Sequence, residues 1–180
     1  MQKAIGRGNI PALQTINGAH KQATIEAICD WVAEDGSCFA ITLTPNCPHH
    51  QFSTTLTKLR RLSAALAYGP RGVPRSCEYR NIKRDKPRLV GFEEGQVDTK
   101  SDARIRHFHG LIGLRSAAEE HFCRDFLDRY WSDLHNPLGP NNRTYDLTNT
   151  AAHTGAARGW LRYATKRDAF TTTKEPIFIG

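Results

Sequence analysis

Hydrophobic positions change period several times along the chain, and each change marks an element. Over residues 19–34, Ala23, Ile25, Ala27, Ile28, Trp31 and Val32 recur at helical spacing, and Gly36 ends the helix. Residues 38–44 (CFAITLT) alternate β-branched and aromatic side chains up to Pro45, which predicts a strand near the centre of a sheet. Ser53 or Thr54 can cap a second helix whose apolar stripe is Leu56, Leu59, Leu62 and Leu66, while Lys58, Arg60 and Arg61 give it a basic outer side. After a turn-rich break at 69–74, residues 77–82 and 88–93 predict an antiparallel pair, followed by a polar loop over 95–104. Residues 105–114 (IRHFHGLIGL) form the most strand-like decapeptide. Ser116 and Glu119 make a capping box for a helix reaching about Trp131. Residues 144–148 predict a short edge strand and 155–169 a last helix; residues before 19 read as an arm, and the tail after Phe170 carries no signal. The order predicts an α+β fold, a central antiparallel sheet of about five strands flanked by helices.

Composition narrows the functional classes. A chain of 180 residues, 39% hydrophobic, suits one domain over 1–180. Lys and Arg number 25 against 18 Asp and Glu, a formal charge of +7. The excess lies in the middle third: residues 58–88 hold ten basic side chains against Glu78 and Asp85. That distribution favours a polyanionic partner, nucleic acid first. No apolar run approaches the roughly 20 residues of a membrane span, and no cationic-then-apolar leader opens the chain, so a cytoplasmic location is expected. Five cysteines, an odd number without a CxxC, read as reduced thiols, and Cys47 with His49 and His50 lacks the second ligand pair of a zinc site.

Three short segments carry candidate chemistry. Side chains two apart on a strand share a face, so His107 and His109 stand side by side, the spacing a divalent metal needs from two ligands on a rigid element. Gly110 and Gly113 beside them would let a backbone or a phosphate come close. Alone, such a pair is more often two partly exposed strand histidines. A carboxylate from the preceding strand (RLVGFEEG, 88–95) can complete the site. Glu93 and Glu94 point to opposite faces, and register favours Glu93, with Glu94 the alternative. Two imidazoles and a carboxylate leave positions open for water and a phosphate oxygen, which suits Mn2+ or Mg2+ as a Lewis acid. In RGWLRYATKR (158–167), Tyr163 and Lys166 lie three apart on one side of a helix, a phenol nucleophile with an ammonium to support it; Trp160 and Leu161 read as core anchors.

Taken together, FAITLTP (39–45), RHFHGLIGL (106–114) and YATK (163–166) resemble, in kind and order, the three motifs of HUH endonucleases, in particular single-tyrosine rolling-circle replication initiators. VGFEEG is similar to the segment that supplies their acidic ligand: aligning on Val, two residues, Glu selects Glu93, and aligning on Glu, Glu, Gly selects Glu94. The tyrosine lies downstream of the histidines, as in initiators and single-tyrosine transposases; relaxases usually carry it upstream. Tyr130 and Tyr145 are back-up candidates of more structural character. The resemblance implies a ferredoxin-like or RNA-recognition-like fold and site-specific nicking and joining of single-stranded DNA, at an origin hairpin of a plasmid or phage. It places Thr42 and Thr44 near bound DNA, with Lys58, Arg60, Arg61, Arg104 and Arg106 on its backbone. No GxxxxGK[ST] phosphate loop is present, so unwinding would fall to a host helicase and extension to a host polymerase. Two rivals stay open: a non-catalytic RNA-recognition-like binder, and a metal-dependent hydrolase in which water replaces Tyr163.

Overall fold

The computed structural model describes residues 18–44, 52–73, 85–97, 104–132, 144–150, 155–164 and 177–180. In chain order these form α1 (Gly18–Ala33), β1 (Ser37–Leu43), α2 (Phe52–Tyr68), β2 (Leu89–Val97), β3 (Arg104–Leu114), α3 (Ala117–Leu127) running into a π-helical turn (Asp128–Ser132), β4 (Tyr145–Asn149), α4 (Ala156–Ala164) and β5 (Ile177–Ile179). The five strands make one antiparallel sheet in the order β4-β1-β3-β2-β5. This is the expected α+β architecture, with helices on both faces.

β3 occupies the centre, buried on both faces from Phe108 to Leu114, and its alternation sorts the core into two layers. Phe108, Ile112 and Leu114 join Phe39, Ile41 and Leu43 of β1 on one face, under Leu59, Leu62 and Leu66 of α2 and Cys123 and Leu127 of α3. Leu111 joins Ala40, Val90 and Phe92 on the other, under Ile25, Ile28, Cys29 and Val32 of α1 and Leu161 and Ala164 of α4. Gly91 and Gly110, opposite each other in the ladder, are needed for packing: a Cβ at Gly91 would fall 2.0 Å from the Phe108 ring, and one at Gly110 2.4 Å from the Val90 carbonyl oxygen. Gly113 is filled in the same way by the Val32 carbonyl at 2.7 Å. The space beside the histidine strand therefore belongs to the core and not to a phosphate.

Several boundaries differ from the sequence reading. β2 continues through Gly95 to Val97, where a loop was expected. Ser116 caps α3, accepting the Glu119 N–H, but the regular helix stops at Leu127. The tail supplies β5, an edge strand the sequence did not signal. The expected strand at 77–82, the arm before 18, Cys47, His49 and His50 lie outside the described residues.

At the C-terminal end of β3 a buried ion cluster ties four segments together. The Arg71 guanidinium bonds both carboxylate oxygens of Asp35, at 3.1 and 2.9 Å, and both of Glu119, at 3.0 and 2.9 Å. It also donates to the Gly113 and Asp85 carbonyls. The three side chains are 1%, 4% and 4% exposed. Arg115 reaches Asp35 from the rim at 2.8 Å. Burial works against the Arg71 charge, but the bonds to Asp35 and Glu119 outweigh it and raise the guanidinium above its ordinary value.

Candidate active site

The opposite end of β3 carries the histidines, on the face covered by α1 and α4. Their ring centroids are 6.0 Å apart and the planes nearly parallel, at 15°. Each ring is oriented by a threonine of β1 or its extension: Thr42 Oγ1 lies 3.3 Å from His109 Nδ1, and Thr44 Oγ1 3.1 Å from His107 Nδ1. The ladder dictates these pairs, because Thr42 is the register partner of His109. Thr44 is fixed in turn from its backbone, since its N–H donates to the Thr144 carbonyl at 2.7 Å. The same carbonyl accepts the Trp131 indole N–H at 2.9 Å, from the other face of the sheet. Thr42 and Thr44, expected at the DNA, thus hold the imidazoles.

The third motif reaches the same place through α4. Its inner residues Leu161 and Ala164 bury against the layer that contains Leu111 and Phe92, which presents the next face of the helix to His109. Tyr163, 49% exposed, sets its ring edge-on to His109 at 5.5 Å. Trp160 lies one turn back, stacked on Tyr163 at 5.7 Å and edge-on to His109 at 5.6 Å. Its indole N–H donates to the Gly110 carbonyl at 3.0 Å, pinning α4 to the histidine strand. Trp160 packs against the core layer of α1 and α4, as expected of a core anchor, and also forms a wall of the site, for which its position three residues before Tyr163 was the available signal.

The β2–β3 ladder decides which glutamate stands with the histidines. Glu94 is the register partner of His107 and Phe92 that of His109, whereas Glu93 pairs with Phe108. Directly opposed residues of an antiparallel pair share a face. Glu93, the preferred ligand from sequence, is therefore on the wrong face, and Glu94 occupies the position that can complete the set. The side chain of Glu94 lies outside the described residues, and among those described no group of three metal-ligating side chains assembles. A further acidic residue, Asp146 of β4, pairs with Thr42 and so falls in the row of His109. The sequence reading missed it for want of register.

The remaining candidates separate from this cluster. α2 covers the opposite face of the sheet, so Lys58, Arg60 and Arg61 stand across it from the histidines. Lys58 donates to the Tyr130 carbonyl at 2.7 Å and lies over the Trp131 ring. Burial, then nearby Arg61, lowers its ammonium below the usual lysine range. Arg104 and Arg106 are in phase with Phe108 along β3 and pair with Val97 and Gly95, register positions off the histidine face. Lys166 lies outside the described residues. Tyr145 donates to Asp128 Oδ1 at 2.7 Å and the Tyr130 ring lies tilted against Phe126, both on the α3 side. Among the described residues no helix is long and apolar enough to cross a membrane. Comparison of the chain with protein-family models, with curated proteins and with solved structures finds no match.

Proposed function

We propose that the chain is a metal-assisted endonuclease and strand transferase of the HUH kind, which nicks and rejoins single-stranded DNA through Tyr163. One observation carries the reading: Tyr163 stands 5.5 Å from His109, although their motifs are more than fifty residues apart and were singled out for different chemistry. A half-exposed phenol edge-on to a buried imidazole, with a second imidazole parallel to it and a threonine on each ring, suits phosphoryl transfer better than a packing role.

The donor set fits a divalent ion. With the proton on Nδ1, each imidazole donates to its threonine hydroxyl oxygen and offers Nε2 as the ligand nitrogen, the usual division of labour in metal-bound histidine. His107 and His109, with Glu94 by register, would hold Mn2+ or Mg2+, which supplies Lewis-acid polarisation of the scissile phosphate. Tyr163 gives up its Oη proton and attacks phosphorus in line. The Tyr163 Oη–P bond forms as the P–O3′ bond breaks; the phenol proton passes to water and the leaving O3′ takes one from water, leaving a 5′ phosphotyrosine and a 3′ hydroxyl. Attack by a 3′ hydroxyl reverses the step, so joining needs no nucleotide cofactor. Lys166 is assigned to support of the phenolate or the leaving strand by its spacing alone. Trp160 restricts the Tyr163 ring to the side facing His109.

Rolling-circle initiation at an origin hairpin is the role this chemistry serves best, with single-stranded DNA as substrate, a host helicase and polymerase as partners and a reducing compartment such as the cytoplasm as the setting. The test is to mix the protein with labelled single-stranded oligonucleotides and Mn2+ or Mg2+ and look for a covalent adduct on a denaturing gel. A metal-dependent adduct lost in Tyr163→Phe and His107→Ala is expected. Cleavage that survives Tyr163→Phe overturns the tyrosine mechanism in favour of water, and tight metal-independent binding without cleavage favours a recognition module.

A further inference from the structure

The outer face of α4 holds a feature that the internal packing does not explain. Gly159 lies mid-helix, its N–H bonded to the Gly155 carbonyl at 2.9 Å, and a Cβ placed there would meet nothing within 4 Å among the described residues. A helix-interior glycine is unfavourable relative to alanine, so a glycine that no described neighbour crowds points to something outside that must come close. Its neighbours say what. Arg162 and Tyr163, three and four residues on, share its face of the helix, and Arg158 lies one turn before Arg162. All four residues are exposed. The Gln22 amide oxygen accepts from Arg162 at 3.1 and 2.7 Å, a contact that orients the guanidinium on the outer face of the helix.

We infer that Arg158, Gly159 and Arg162 form a track for the phosphate backbone of a single DNA strand, which crosses α4 over the bare Gly159 position and leads to Tyr163. The inference rests on the proposed nicking role and extends it by fixing the side from which the strand arrives. Guanidinium groups supply the phosphate contacts, and the missing side chain admits the sugar-phosphate chain against the helix backbone. The same charge and clearance are absent from the opposite side of the helix, where Leu161 and Ala164 are buried.

The test separates a helix effect from a docking effect. Because Leu and Ala are much better helix formers than Gly, Gly159→Leu and Gly159→Ala should each raise the thermal midpoint by about 2–4 °C. On the track reading the same two proteins bind a fluorescent mixed-sequence single-stranded 20-mer more weakly, Gly159→Leu by about tenfold and Gly159→Ala by less. Arg158→Gln and Arg162→Gln should each weaken binding and lower the slope of log affinity against log salt by about 0.7. Glycine variants that gain stability and bind as the wild type does overturn the track, even if the wild type forms the covalent adduct. Wild-type binding that shows these losses, without any adduct, upholds the track and sinks the endonuclease reading. Failure of the wild type to bind the 20-mer overturns the track.

Discussion

The two ends of β3 solve the same problem in opposite ways. Both present polar groups beside a strand that is buried from Phe108 to Leu114. At the Gly113 end Arg71 closes its donors on Asp35, Glu119 and two carbonyls, with the charged groups sealed from water. At the histidine end the Nδ1 atoms are engaged by threonines, while the cluster opens outward through a half-exposed tyrosine. Charges matched inside the protein fix where α1, α2 and α3 join the sheet. At the histidine end the groups are oriented by threonines, and the cluster reaches solvent at Tyr163, the place where the proposed chemistry would meet its substrate. Removal of one member of a sealed cluster should therefore be read in stability, and removal of an open-end group in activity.

The sharpest test of that contrast is Tyr163→Phe, expected to reduce covalent adduct formation by at least about a thousandfold while the thermal midpoint moves by less than about 2 °C. Loss of both together would erase the distinction. Next in size is Arg71→Met, which takes the guanidinium from buried Glu119 and leaves Asp35 to Arg115 at the rim, and should remove about 3–5 kcal/mol of stability in urea denaturation. A loss below about 1 kcal/mol would mean that the cluster is wetter than its exposure indicates. Thr44→Val keeps the volume but removes the hydroxyl on His107; calorimetric titration should show Mn2+ affinity falling by about 10–100-fold, with native far-UV dichroism retained. The smallest effect concerns the layer beneath the open end. Burial, then neighbouring Cys38, pushes the Cys29 thiol up to about 11, from 9.0 when unfolded. A raised folded value favours the protonated thiol, so its contribution is whole below pH 9 and is lost as pH rises toward 11. Under reducing conditions the stability gap between wild type and Cys29→Ala should stay flat up to pH 9 and then shift against the wild type. A gap independent of pH across that window would contradict the buried thiol.

How much of this could be read beforehand depended on range along the chain. The strand bearing His107 and His109, the Ser116 cap and the helix bearing Tyr163 follow from local alternation and spacing. Glu94 over Glu93, Thr42 and Thr44 on the imidazoles, and Asp146 in the His109 row all depend on inter-strand register, which a single strand does not encode. The side of the sheet on which α2 packs is equally non-local. Its apolar stripe was legible, but not that the stripe would turn Lys58, Arg60 and Arg61 away from the histidines. The basic segment also misled as a tally of surface charge: Arg71 is buried, and Arg88 is spent on Glu34 and the Trp31 carbonyl. β5, three residues long, offers too few positions for any period to register.

One carbonyl has a larger consequence than its size suggests. The Thr144 oxygen accepts one hydrogen bond from Trp131, in the layer beneath α2 and α3, and another from the backbone of Thr44, whose hydroxyl holds His107. The aim of an imidazole on one side of the molecule is thus set partly by an indole on the other, so a repacking of the remote layer would be inherited by the chemistry. The two layers are not free to diverge independently, and a change at Trp131 would mimic a lesion at the histidines it never touches.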